Sequence, residues 1–237
     1  MLTSVDQAPF DARLVIAAVH NEQLADRLDR MGVNVGQTII RLNEKPAFVP
    51  VKVKGPLGEV ALGAGMAAKI VVHHDDGHKT PVIEMEPGEK GHVEGLVCGP
   101  ALEKTLALLG LKVDAEITMV RALPPMEYHI LMEGRRIRLA EGAAAKIWGE
   151  MGGQSMQFVS SARGKPFIIR ELMGGERAQA YLREMGLLPD KTIILENLVP
   201  APYVGREDKE QTVLVAESGL RLYLRLDQAR RVMVRPV

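Results

Sequence analysis

The sequence has 237 residues, 46% of them apolar, enough for a packed core in one large domain or in two to three small ones. Lys plus Arg and Asp plus Glu stand at 30 each, so no whole-chain field draws the protein to nucleic acid or to an anionic membrane. Aromatic residues at 4% argue against base-stacking platforms, and a single cysteine, Cys98, excludes an intrachain disulfide.

The opening segment, MLTSVDQAPFDAR, has no signal-peptide core, and no apolar run is long enough to span a bilayer. The expectation is a soluble cytoplasmic protein. The first predicted strand is RLVIAAV. A helix follows, with Leu24, Leu28 and Met31 on one face at i, i+4, i+7 spacing. Gly32 then fits the left-handed position that ends a helix, and a strand starts near Ile39. PVKVKG is an extended segment ending in a turn glycine. VALGAGMAAKIVV reads as strand, one helical turn, strand.

Next comes HHDDGH, which holds three of the six histidines. Imidazole and carboxylate suit Fe(II), Mn(II) or Zn(II), so His73, His74, Asp75, Asp76 and His78 are candidate metal ligands. In an extended chain His73 and Asp75 face one side, and His74 and Asp76 the other. A site then needs a turn at Gly77 or a ligand from elsewhere. The competing reading is a solvated inter-domain link with DDGH as its turn. On that reading the cluster sits on a seam between two folded units.

The pattern then starts again. GHVEGLV is the next strand and VCGPAL leads into a helix carrying Leu102, Leu106 and Leu109, closed by Gly110. Cys98, just before that helix, reads as an apolar strand-end residue, since no histidine motif stands by to make it a nucleophile. A strand starts near Ile117, and YHILMEG and IRLAEGAAAKIWG follow. His92 and His129 read as ordinary strand residues. Trp148 is expected to pack between domains. A third round runs from PFIIREL through Ala178, Leu182, Met185 and Gly186 to a strand near Ile193. It ends in TVLVAESG and LYLRLDQARRVMV, after a charged VGREDKEQ that reads as a lengthened loop.

These rounds are an internal repeat. Gly32, Gly110 and Gly186 fall in register, as do Leu62, Leu139 and Leu224. Each unit reads β-α-β-β-β-turn-β, which suits a small, partly open barrel. The units break near residue 77 and near GEMGGQSMQ. The expectation is mainly β structure with short helices, as three tandem barrels at 1–76, 77–153 and 154–237, packed compactly as a pseudo-symmetric trimer rather than strung out.

The segments PGEKGHVEGL, LLGLKVDAEITMV and MEGRRIRLAEGAAAKIWG resemble the FeoA domain, ferrous iron transport protein A, an SH3-like small barrel. The resemblance extends over about residues 13–72, 81–150 and 157–235, with Asp114 and Asp190 standing where the first copy has Gly36. It implies a non-enzymatic, cytoplasmic role in ferrous iron handling, through a protein partner such as the cytoplasmic part of a membrane permease with a GTPase domain. Glycines never gather as GxxxxGK[ST] or GxGxxG, and no nucleophile–base–acid set repeats among the copies. Two other functions compete: a metal sensor or store built on HHDDGH, and a nucleic-acid-binding small barrel, which the balanced charge and scarce aromatics oppose.

Overall fold

A computed structural model describes residues 2–44, 49–124, 126–201 and 211–237. The first copy holds strands β1 (Thr3–Ser4) and β2 (Arg13–Val19), helix α1 (Glu22–Arg30), β3 (Thr38–Leu42), β4 (Val51–Gly55), β5 (Gly58–Leu62), α2 (Ala64–Ala67), β6 (Ile70–His73) and β7 (Lys79–Pro81). The second holds β8 (Lys90–Leu96), α3 (Pro100–Leu108), β9 (Glu116–Ala122), β10 (Met126–Met132), β11 (Arg135–Ala140), α4 (Glu141–Ala144), β12 (Ile147–Met151) and β13 (Gln154–Gln157). The third holds β14 (Pro166–Leu172), α5 (Glu176–Glu184), β15 (Thr192–Pro200), β16 (Gln211–Ala216), β17 (Arg221–Arg225), α6 (Leu226–Ala229) and β18 (Val232–Pro236). Most of VGREDKEQ lies outside the described residues.

The local chemistry matches the repeat. In α1 the Asn21 side chain accepts from the Leu24 N–H at 2.8 Å, and Leu24 and Leu28 are buried. The helix closes when the Gly32 N–H donates to Asp29 and the Val33 N–H donates to Leu28. Gly110 with Leu111, and Gly186 with Leu187, repeat this pair of bonds, and all three glycines have positive φ. Asp114 and Asp190 keep the conformation of Gly36: their φ values are 67° and 65°, and each N–H donates to the strand before the helix, as that of Gly36 does. Aspartate tolerates this region better than most residues.

Among the described residues the three sheets have six strands each and one shared topology: β17-β16-β3-β2-β18-β1, β5-β4-β9-β8-β6-β7 and β11-β10-β15-β14-β12-β13. The barrels are therefore not the contiguous stretches 1–76, 77–153 and 154–237. The second and third each join the β-α-β half of their copy to the second half of the copy before it, and the first joins the β-α-β half of the first copy to the second half of the third. The first barrel closes the chain on itself: β1 pairs with β18, and the Val5 N–H donates to Val232 at 2.8 Å.

In the second copy the link between the halves disfavours a local hairpin. A hairpin from β9 to β10 would have to turn within Leu123-Pro124-Pro125. Proline fixes its own φ and holds the residue before it extended, so this link favours running on. The Leu123 N–H instead donates to Pro50, extending the pairing of β9 with β4, and β10 pairs with β15 in the next barrel.

Adjacent barrels share cores. Val71 and Val97 of the second barrel are buried in the cluster of the first. Met173 and Trp148 of the third barrel, at the equivalent positions, pack into the cluster of the second. Trp148 thus packs between barrels as expected. The buried residues of the third cluster all come from the third barrel.

Candidate functional site

The metal candidates from the sequence fall on a hairpin of the second barrel. β7 pairs with β6 through Val71↔Pro81, Val72↔Thr80 and His73↔Lys79. HHDDGH is therefore a turn inside one sheet and not a seam between domains. The His74 N–H donates to His78 and the Gly77 N–H to His74, each at 3.0 Å, with Gly77 at φ 89°.

The hairpin scatters its own candidates. His74 is buried and stacks on His78, with ring centroids 4.0 Å apart and planes within 6°. The His78 Nδ1 bonds to the Asp76 carboxylate. The Asp76 carboxyl is held below its ordinary pKa by the His78 backbone N–H and then by the His78 side chain. Asp75 is exposed. Only His73 leaves the turn, and its partners come from β8.

His73 and His92 are directly paired across β6 and β8. Their rings meet edge to face, with centroids 5.0 Å apart. The register shifts between Val71 and Val72, leaving Glu94 as the extra residue of a bulge. Two residues on from His92 along β8, Glu94 lies on the same face, beside the two imidazoles. Glu94 Oε2 lies 3.6 Å from His73 Nδ1 and 3.6 Å from His92 Nε2. One ligand atom from each residue fits within 4.8 Å of the others, and all three side chains are half-buried.

Lys79 fixes the carboxylate from the other side, donating to Glu94 Oε1 at 2.8 Å and to the Arg30 carbonyl of α1 at 3.3 Å. Burial pushes the Glu94 pKa up. The Lys79 hydrogen bond and charge, with smaller help from His73 and His92, outweigh it and hold the group below its ordinary value. Glu94 is thus a carboxylate at neutral pH. His92, read from the sequence as an ordinary strand residue, is part of this cluster. The i, i+2 spacing of His92 and Glu94 was readable, but their partner His73 lies 19 residues back and depends on strand register.

Among the described residues the cluster occurs in one barrel. Strand pairing places Glu150, Ile168 and Arg170 at its positions in the third barrel, and Arg235, Val15 and Ala17 in the first. In the third barrel Arg170 pairs with Glu150 at 3.2 Å. Elsewhere, burial pushes the Cys98 thiol up to about 11, which agrees with an inert thiol. A groove of about 490 Å³ on the third barrel includes Glu133, Asp190 and Lys191, with no serine, cysteine or histidine.

The FeoA domain model matches residues 3–74 and 80–151. The chain belongs to the FeoA family. The third copy rests on its glycine register and on its share in the common sheet order. No match was found among curated proteins or among solved structures. Membership in the FeoA family brings the SH3-like small barrel and a role in ferrous iron transport. Among the described residues, no helix is long and apolar enough to cross a membrane.

Proposed function

We propose that this FeoA-family protein serves ferrous iron transport on the cytoplasmic side by docking a protein partner, without catalysis of its own. One observation carries the reading: the chain already docks barrel on barrel twice, and the accepting face recurs, exposed, on the third barrel. At the junction of the first and second barrels, Tyr223 and Arg221 on edge strand β17 hold Glu84 of the incoming barrel. Counting back from the equivalent Leu224 and Leu139, their counterparts on edge strand β11 are Arg138 and Arg136. These two side chains are 74% and 80% exposed. Tyr181, the counterpart of Arg27 and Thr105 in the two junctions, is also exposed.

This face suits a partner with a carboxylate at the place of Glu84, such as an acidic surface on the cytoplasmic part of a ferrous iron permease. The test is binding of that part, purified, to wild-type protein and to an Arg136→Glu, Arg138→Glu variant. Wild type is expected to bind, with an affinity that falls with salt, and the variant to bind at least tenfold more weakly. Equal binding by both, or recovery of nucleic acid alone from a native lysate, overturns the reading.

A further inference from the structure

We propose that His73, His92 and Glu94 form a binding site for one divalent transition metal ion of the ferrous class. The proposal stands apart from the docking reading, since it concerns another barrel and another test.

A metal bound at about 2.0–2.2 Å to nitrogen and oxygen donors holds them about 3.0–3.5 Å apart. The two imidazole-to-carboxylate distances of 3.6 Å lie just outside that range. The histidines need only a small side-chain rotation to close the third side, because they are cross-strand neighbours with backbones fixed by pairing. The carboxylate needs no search, since Lys79 already holds Oε1 and leaves Oε2 between the rings. A second-layer bond of this kind orients a ligand and limits what it loses on binding.

Two imidazoles and one carboxylate suit Fe(II), Mn(II), Co(II) and Zn(II), whereas an oxygen-only set would suit Mg(II) or Ca(II). Three protein donors leave coordination positions open, as befits an ion that enters and leaves rather than one that props up a fold.

The rest of the molecule supplies the contrast. In the third barrel the same place is filled by the Arg170–Glu150 pair, and a guanidinium cannot lose its proton to become a ligand. In the first barrel the place holds Arg235, Val15 and Ala17. The neighbouring hairpin is taken up by its own turn, with His78 bonded to Asp76 and His74 stacked beneath it. Lys79 also touches the Arg30 carbonyl, so the site borders the first barrel.

Co(II) is the probe. Its visible absorption reports nitrogen and oxygen ligation directly, and Zn(II) added afterwards displaces it. Wild-type protein is expected to develop visible bands that saturate at one equivalent of Co(II) and disappear on adding Zn(II). His92→Ala and the near-isosteric Glu94→Gln are expected to weaken Co(II) binding at least tenfold. His78→Ala and Asp76→Asn are expected to leave it unchanged. No visible bands beyond those of aqueous Co(II), bands of equal strength in His92→Ala, or loss of binding in His78→Ala each overturns the assignment.

Discussion

Gln157 of the third barrel is joined to Ala61 of the second by two bonds of equal length: its Oε1 accepts from the Ala61 N–H at 2.9 Å, and its Nε2 donates to the Ala61 carbonyl at 2.9 Å. One side-chain amide thus replaces the strand that edge strand β5 lacks. The same Nε2 also donates to Ala145. Gln157 and Ala61 are both buried, so water cannot take over these bonds. Gln157→Leu would leave the N–H and C=O of Ala61 without partners, at a cost of about 1–3 kcal/mol for each buried group. The variant is expected to lose about 2–4 kcal/mol in urea unfolding, measured from the midpoint at constant slope.

The repeat and its caps were legible because each is a local device. Gly32, Gly110 and Gly186 end helices wherever the chain goes next. The exchange of halves between barrels was not legible. Strands β4 and β10 both carry the alternation that β9 requires, so periodicity cannot choose between them. In the second copy a short link with two prolines, Pro124 and Pro125, disfavours the hairpin. The metal candidates divide in the same way. The turn at Gly77 was readable from DDGH, but the pairing of His73 with His92 is a fact of register.

Asp114 offers a test of the backbone reading. It is exposed, with φ at 67°, a conformation that glycine adopts without steric cost. The first copy already has Gly36 there, at φ 93°. Asp114→Gly removes the strain of the left-handed conformation but adds freedom to the unfolded chain, and the first term is the larger here. The variant is expected to gain about 0.5–1 kcal/mol in thermal unfolding, whereas Gly36→Val, with a β-branched residue at the same conformation, is expected to lose stability.

Glu141, at the start of α4, sets a pH dependence. It is 5% exposed, and burial pushes its carboxyl up to about 7, against weaker lowering by the Met126 N–H and the Arg121 charge. A folded-state value above the unfolded one means that the native state holds the proton more tightly. The stability from this group is full below about 4.5 and is lost as pH rises through about 7. Glu141→Gln keeps an acceptor for the Met126 N–H and never ionises. It is expected to leave stability near pH 4.5 almost unchanged and to raise it by about 2–3 kcal/mol above pH 7.5. Unfolding midpoints at the two pH values measure the difference, and a gain of equal size at both would assign the effect to packing instead.

Gly91 tests how the strand that carries His92 is seated. A Cβ there would lie 2.3 Å from the His73 carbonyl oxygen and 2.6 Å from Val72 Cγ1, so β8 approaches β6 too closely for any side chain. The third barrel solves the same contact in reverse. There Phe167 takes the place of Gly91, and Gly149 takes that of Val72, with a Cβ on Gly149 meeting Ile168 O at 2.1 Å. Gly91→Ala must therefore push the strands apart, and overpacking against backbone costs about 1–3 kcal/mol or more. Val72→Gly removes only one of the two clashing atoms, because the His73 oxygen remains. The double variant is expected to recover part of the loss, with a coupling of about 0.5–1.5 kcal/mol in a double-mutant cycle. Strict additivity would show that β8 is free to shift. In that case the spacing of His73 and His92 would not be fixed by the sheet, and Gly91→Ala would leave Co(II) binding intact.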